Sequence, residues 1–233
     1  MYTCSKSCKR GKDMGKVKEN LLRLQEEIAP YTPKIVAVTK YYGTNEMIEA
    51  YNAGIRDFGE SRIPESIEKI KSLPAEIQKN SKFHLIGHLQ TNKVKKAVGF
   101  FDYIHSVDSL NLAQKISEDA SEKKIIQKIF LQVNNAGEEQ KFGFSKETLF
   151  ESFREIQKLQ SIEIVGLMSI APLTENEEYL LKHFQEVFQI KCRLEQEFNC
   201  KIKELSMGMS NDYKEAVKAG ATVIRVGRKL FSL

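Results

Sequence analysis

Residues 35–40, IVAVTK, are the stretch from which the fold is worked out. A run of β-branched residues that is followed directly by turn residues is typical of a buried strand. The lysine that ends the run, Lys40, is therefore expected at the rim of a sheet, where an amine can reach a cavity. Burial there favours the neutral amine, which is the form that attacks a carbonyl. The alternative is a solvated lysine without a function, because most lysines are solvated.

The alternation of short strands and amphipathic helices continues along the chain on both sides of this stretch. Predicted strands span residues 35–40, 57–60, 83–87, 103–108, 128–134, 163–169, 204–209 and 222–227. Predicted helices span residues 15–30, 44–53, 63–73, 91–98, 175–197 and 210–219, and two more follow the N-cap residues Ser109 and Ser145.

Eight strand–helix units in 233 residues predict an α/β fold, a single (β/α)₈ TIM barrel with an extra N-terminal helix at 15–30. Few residues follow the eighth strand, so we expect the N-terminal helix to cover the place of an eighth helix. The alternative is an open doubly wound sheet, but no GxGxxG follows the first strand. Residues 1–13 are basic and lack apolar periodicity, and we expect a disordered leader ahead of one domain at 14–233.

The composition is that of an ordinary globular protein, with 41% hydrophobic and 29% charged residues. The net charge of +5 is spread along the chain, which argues against nucleic acid or a membrane as a partner. No stretch has the length of a transmembrane helix or the apolar segment of a signal peptide. The four cysteines form no CxxC pair, and we expect them to be reduced thiols in a cytoplasmic protein.

Histidines and a basic run offer weaker signals. His84 and His88 are separated by four residues, but they fall on a strand and the turn after it, which argues against a shared metal-binding face. The run containing Lys93, Lys95 and Lys96 is interpreted as a solvated helix face rather than a nucleic-acid surface.

A candidate phosphate site follows the seventh and eighth strands, where TIM barrels often bind phosphate. The segment from Ser206 through Gly208 to Ser210 leads into a helix, and Gly227 closes strand eight. Small residues let backbone N–H groups approach a phosphate, and serine hydroxyls add donors. Alternatively, Ser210 is only an N-cap and Gly208 only a turn residue. Together with Lys40, this segment predicts a ligand that carries both an aldehyde and a phosphate, which describes pyridoxal 5′-phosphate (PLP).

Arg225 interrupts the apolar eighth strand, so its side chain needs an acceptor. A pyridine nitrogen is one such acceptor. Arginine stays protonated, so a nitrogen that faces it would carry no proton, and the ring would be a poor electron sink. The alternative is an ion pair with a neighbouring carboxylate such as Asp57 or Glu60.

The chain that carries these residues closely resembles the PLP homeostasis proteins of the YggS/PROSC type, from about residue 16 to the C-terminus. The resemblance rests on AVTK ending at Lys40, FGE at 58–60, HLIGHLQTNK at 84–93, SVDS at 106–109, QVNNAGEEQKFGF at 132–144, GLMSI at 166–170, LSMGMSND at 205–212 and IRVGRKLF at 224–231. The family usually has asparagine and then tyrosine after FGE, where this sequence has Ser61 and Arg62. No cofactor contact is therefore carried over to that loop.

The resemblance implies a barrel of the alanine racemase type (fold type III) that holds PLP as a Schiff base. Lys40 matches the family's PLP lysine, and Arg225 matches its partner for the ring nitrogen. Ser206, Ser210 and Gly227 match its phosphate-binding positions.

The implied function is PLP homeostasis, in which a monomer buffers the cofactor and delivers it to apo PLP-dependent enzymes without an established reaction of its own. A small amino-acid racemase that uses Lys40 and a tyrosine such as Tyr41 or Tyr42 stays open as the alternative. Alanine racemases add a β domain that supplies a catalytic tyrosine, whereas six residues follow the eighth predicted strand here. Lys40 is one proton-transfer group in a clear position, where two-base racemization needs two. These points favour the carrier.

Overall fold

A computed structural model of the chain describes residues 15–137 and 142–232. Eight parallel strands in these residues close into a barrel in chain order, and β8 pairs with β1. Strands β1 to β8 span Lys34–Val38, Asp57–Glu60, Lys82–Leu85, Tyr103–Val107, Gln127–Val133, Ile162–Ser169, Glu204–Ser206 and Val223–Val226. The predicted TIM barrel is confirmed. The expected leader at 1–13 lies outside the described residues.

Helices fill the connections between the strands. Helices α1 to α10 span Lys16–Glu27, Thr44–Asn52, Glu65–Lys71, Ala75–Asn80, Val94–Ala97, Leu110–Glu122, Lys146–Ile156, Glu177–Phe198, Tyr213–Lys218 and Arg228–Phe231, with a 3₁₀ turn at Thr91–Lys93. Ser109 and Ser145 cap α6 and α7 through their side chains, as the sequence predicts. The predicted N-terminal helix is α1, and it packs against α10, where the Asn20 amide donates to the carbonyl of Leu230 at 3.0 Å.

Several element boundaries differ from the prediction by two or three residues; the strand expected at 35–40, for example, ends at Val38. The helix expected at 63–73 ends at Lys71, and a separate helix, α4, follows Pro74, which disfavours helical backbone at the residue before it. The strand expected at 204–209 ends at Ser206. The helix expected from 210 begins at Tyr213, because a turn intervenes in which the Met209 N–H donates to the Asp212 carboxylate.

Two buried regions of the protein, one outside the barrel and one inside it, are packed differently. Between the strands and the helices lies a continuous apolar layer, which includes the helix residues Met47, Ile116 and Phe184. A smaller apolar cluster is formed by Phe130, Val165 and Met168. Buried histidine, serine and arginine side chains share the space enclosed by the strands, and their contacts are described below.

No helix within residues 15–137 and 142–232 has the length and apolar character needed to cross a membrane.

Candidate functional site

A cavity of about 610 Å³ opens at the carboxyl ends of the strands, and we call it the mouth cavity. Its volume is within the roughly 300–1,000 Å³ that is usual for ligand sites. The residues that line it lie at the ends of β1 and β8 or in the segments after β1, β3, β6, β7 and β8, which is where active residues collect in TIM barrels. Among them are Lys40, Tyr41, Ile86, Ile170, Pro172, Leu173, Met209, Ser210, Arg225, Gly227 and Arg228.

Lys40 stands at the rim of the mouth cavity, two residues beyond the end of β1. Its Nζ lies over the ring of Tyr41, 5.0 Å from the ring centroid. The Lys40 side chain is exposed, so the desolvation expected from the sequence is not present in this structure. The amine is accessible to a ligand that enters the cavity.

The turn that carries Lys40 is held from below by Lys69 of α3. The Lys69 ammonium donates to the carbonyls of Thr39 at 2.7 Å and Tyr42 at 3.0 Å, on either side of Lys40. It also lies 2.6 Å from a carboxylate oxygen of Glu60, which in turn accepts the Thr39 hydroxyl at 2.6 Å. Glu60 is buried, so its charge requires this partner. The Lys69 clamp therefore fixes the backbone from which the Lys40 side chain extends.

Sequence reasoning missed this clamp. The available signal was Glu60, a carboxylate at the end of a predicted buried strand, because a buried charge implies a cation nearby. Nothing in the local pattern identifies Lys69 as that cation.

Arg225 lies at the floor of the mouth cavity and is almost fully buried. Its Nη1 donates to the carbonyl and the hydroxyl of Ser206 at 2.6 and 2.7 Å, and its Nη2 donates to the carbonyl of Ser169 at 3.0 Å. Burial lowers the pKa of the Arg225 guanidinium to about 10, so the group stays charged at neutral pH. The two carboxylates considered as ion-pair partners are engaged elsewhere, Asp57 with His84 and Glu60 with Lys69.

Two of the predicted phosphate-binding residues line the mouth cavity. The Gly227 N–H donates to the Ser210 hydroxyl at 3.4 Å, which joins the loop after β7 to the end of β8. Ser210 does not cap α9, since that helix begins at Tyr213. Its hydroxyl is placed toward the cavity and toward the Gly227 backbone.

The other two, Ser206 and Gly208, are not part of the cavity lining. Ser206 is buried inside the barrel, where its hydroxyl contacts Arg225 and His105. Gly208 has φ +90°, and a Cβ at that position would lie 2.5 Å from the Cβ of Ala216 in α9. Its carbonyl accepts the Arg225 backbone N–H at 2.9 Å. Glycine is thus required for the close packing of the loop that carries Ser210.

The remaining candidates lie apart from the mouth cavity. His84 points into the barrel, whereas His88 stacks on Phe142 with ring centroids 3.7 Å apart and pairs with Asp108 at 3.2 Å. The described parts of the chain contain no group of three or more side chains suited to hold a metal ion. Ser61 and Arg62 are also absent from the cavity lining.

The donors around the mouth cavity fit PLP in kind. An accessible primary amine suits an aldehyde, a buried cationic guanidinium suits an aromatic ring nitrogen, and a hydroxyl beside a backbone N–H suits a phosphate. Ile86, Ile170 and Pro172 supply apolar surface for an aromatic ring.

Comparisons with known proteins agree with this chemistry. The family described as "Alanine racemase, N-terminal domain" matches residues 13–233. A pyridoxal phosphate homeostasis protein of Synechocystis sp. is 41% identical over 202 residues, which cover 87% of this chain and 92% of that protein. One of the same name from Aquifex aeolicus is 37% identical over 198 residues, covering 85% and 86% of the two chains.

Solved structures divide into near and distant relatives. PipY of Synechococcus elongatus, solved with PLP bound, has a TM-score of 0.84 and 37% identity, covering 93% of this chain and 100% of that chain. An alanine racemase of Clostridium difficile has a TM-score of 0.78 but 17% identity, and the match covers 93% of this chain and 56% of the racemase. The racemase likeness is therefore one of fold.

Proposed function

The chain belongs to the alanine racemase N-terminal domain family and, within it, to the pyridoxal phosphate homeostasis proteins; from this premise we propose that it binds PLP in the mouth cavity and buffers and delivers that cofactor. The observation that carries the proposal is the convergence of Lys40, Ser210, Arg225 and Gly227 on one cavity at the strand ends. The presence of PLP in the PipY structure supports it.

Each residue has a distinct task in this proposal. Lys40 holds the cofactor covalently through its amine, at a position that the Lys69 clamp fixes. Ser210 binds the phosphate by donating from its hydroxyl, whose oxygen accepts the Gly227 N–H and is oriented by it. Ser206 and Gly208 do not contact the cofactor directly. Ser206 holds Arg225 in place, and Gly208 allows the close packing of the loop that carries Ser210.

Arg225 sets what the bound cofactor can do. PLP supplies a reactive aldehyde and, when its ring nitrogen is protonated, a strong electron sink. Because Arg225 stays charged at neutral pH and only donates, it keeps a proton off the nitrogen it faces. The chain therefore holds the cofactor without equipping it for carbanion chemistry, which suits storage and delivery.

The exposed Lys40 amine at an open rim also suits delivery, since an acceptor can approach it. We propose apo PLP-dependent enzymes as the recipients and a monomer as the acting form. We place the protein in the cytoplasm because its cysteine pattern is that of reduced thiols. A racemase is the less supported candidate, since the similarity to racemases is confined to the fold.

Covalent capture tests the site. The chain is titrated with PLP, reduced with borohydride and digested, and we expect the pyridoxyl group on the peptide that contains Lys40. Lys40→Ala should abolish the label, whereas Lys95→Ala, an exposed lysine on α5, should leave it unchanged. A label found mainly on another lysine would overturn the site.

Transfer tests the function. The holo-protein mixed with an apo PLP-dependent enzyme should restore that enzyme's activity as PLP passes to it. Amino acids incubated with the holo-protein in deuterated water should gain negligible deuterium at Cα. Rapid, Lys40-dependent exchange would overturn the carrier role in favour of a racemase.

A further inference from the structure

A continuous chain of hydrogen bonds crosses the inside of the barrel. Asp57 Oδ1 lies 2.9 Å from His84 Nε2, His84 Nδ1 lies 2.9 Å from His105 Nε2, and His105 Nδ1 lies 2.9 Å from Ser206 Oγ. Arg225 Nη1 then donates to Ser206 Oγ at 2.7 Å. The bond from β4 to β7 joins strands that are not neighbours, so it crosses the space that the strands enclose.

Every interior member of this chain is shielded from water. The exposed fractions are 1% for His84, 0% for His105, 0% for Ser206 and 2% for Arg225. His84 stacks on Tyr103 and His105 stacks on Phe130, with centroid distances of 4.6 and 4.0 Å. Burial lowers the pKa of both histidines, so they are neutral at pH 7.

The chemistry of the groups fixes the direction of each bond. A carboxylate only accepts, so His84 donates from Nε2 to Asp57, and its neutral ring has a lone pair at Nδ1. His105 must then donate from Nε2 to His84, which leaves its own Nδ1 as an acceptor. The Ser206 hydroxyl donates to His105 Nδ1, and the Ser206 oxygen accepts a hydrogen bond from Arg225 Nη1. All the bonds therefore point from Arg225 toward Asp57.

We propose that Asp57, His84, His105 and Ser206 form a positioning relay that fixes the Arg225 guanidinium at the floor of the mouth cavity. The Ser206 hydroxyl donates its hydrogen bond to His105 and accepts one from Arg225. Its only donor is therefore used inside the barrel, so Ser206 acts through Arg225 rather than on a phosphate. Asp57 anchors the opposite end of the relay by accepting from His84 Nε2. The expected gain in PLP affinity rests on the proposed function. The relay itself is a property of the protein without cofactor.

The protonation pattern of the two rings tests the relay without cofactor. Nitrogen-15 NMR of the full chain at pH 7 should place a single proton on Nε2 of His84 and of His105. A proton on Nδ1 of either ring, or a charged ring, would overturn the relay.

A charge deletion at the far end tests whether the bonds act together. In Asp57→Asn, the ring nitrogens of His105 should shift although His105 does not touch residue 57. Asp119→Asn is the matched control, because the Asp119 carboxylate pairs with Lys123 at 2.7 Å on α6, outside the relay. Equal shifts in both variants, or none in Asp57→Asn, would contradict the proposal.

PLP affinity measures the effect at the cavity. Ser206→Ala should raise the dissociation constant of PLP about fivefold by loosening Arg225, while Ser81→Ala, another buried serine, should leave it unchanged. An unchanged constant in a folded Ser206→Ala protein would overturn the positioning role. If the wild-type protein bound no PLP, the proposed function would be wrong. The NMR protonation pattern would still test the relay independently.

Discussion

Met47, Ile116 and Phe184 fill the layer outside the barrel, whereas His84, His105 and Arg225 occupy its interior. The outer layer gains stability from apolar burial, which has no direction and tolerates exchange of side chains of similar size. The interior depends on hydrogen bonds, each of which needs one donor and one acceptor in fixed places. The outer layer therefore supports folding, and the interior supports the geometry of one guanidinium. The following experiments separate these two roles.

The largest loss of stability is expected in the outer layer. Phe184→Ala removes a fully buried ring and should lower the free energy of unfolding by about 4 kcal/mol. The urea midpoint measures this loss. PLP affinity per folded molecule should stay within about twofold, since Phe184 does not line the mouth cavity. A large fall in PLP affinity in a fully folded Phe184→Ala protein would show that the outer layer also determines the geometry of the cavity.

A smaller loss is expected at the junction between the regions. Lys69→Met leaves the buried Glu60 carboxylate without its cation and should cost about 3 kcal/mol. Lys82→Met is the control, because Lys82 is 59% exposed in its pair with Asp102 and should cost less than about 1 kcal/mol. Unlike Phe184→Ala, Lys69→Met should also weaken capture of PLP by Lys40. Equal costs for the two lysines would show that the clamp is not a buried pair.

The buried histidines inside the barrel should make the free energy of unfolding depend on pH. Burial lowers the folded pKa of His84 and His105 below the ordinary 6.5, so below pH 6.5 the unfolded chain binds more protons than the folded one. The free energy of unfolding should therefore fall by about 2 kcal/mol between pH 7 and 5.5. The pKa of the Glu27 carboxyl is lowered from 4.5 to about 2, so the stability that Glu27 contributes is lost as the pH falls from 4.5 to 2, below this window. A flat profile would count against the relay.

The smallest effect on stability is expected at the rim. Lys40→Ala changes an exposed side chain, and the free energy of unfolding should move by less than about 0.5 kcal/mol. Thermal melting of the cofactor-free protein measures it. A larger loss would mean that Lys40 contributes to packing as well as to the site.

The sequence predicted the architecture well because periodicity is local. The run at 35–40 and its successors place all eight strands within a few residues of their observed bounds, and Lys40, Ser210, Arg225 and Gly227 fall at one end of the barrel by topology alone. The predicted start of α9 was wrong, since the turn before it depends on the Asp212 side chain.

The interior could not be predicted in the same way. β7 has three residues, too few for alternation to tell which face Ser206 takes. His84 and His105 are 21 residues apart, and His105 and Ser206 are 101 apart, so no local pattern relates them. Such contacts arise only when the barrel closes.

The position of Tyr41 gives the protein a built-in optical probe. The sequence has no tryptophan and eight tyrosines, and Tyr41 lies at the cavity rim beside the Lys40 amine. A chromophore held there would quench Tyr41 emission by energy transfer, without tryptophan background. Comparison of the wild type with Tyr41→Leu would isolate that signal, so filling and emptying of the cavity can be followed in real time without an attached dye.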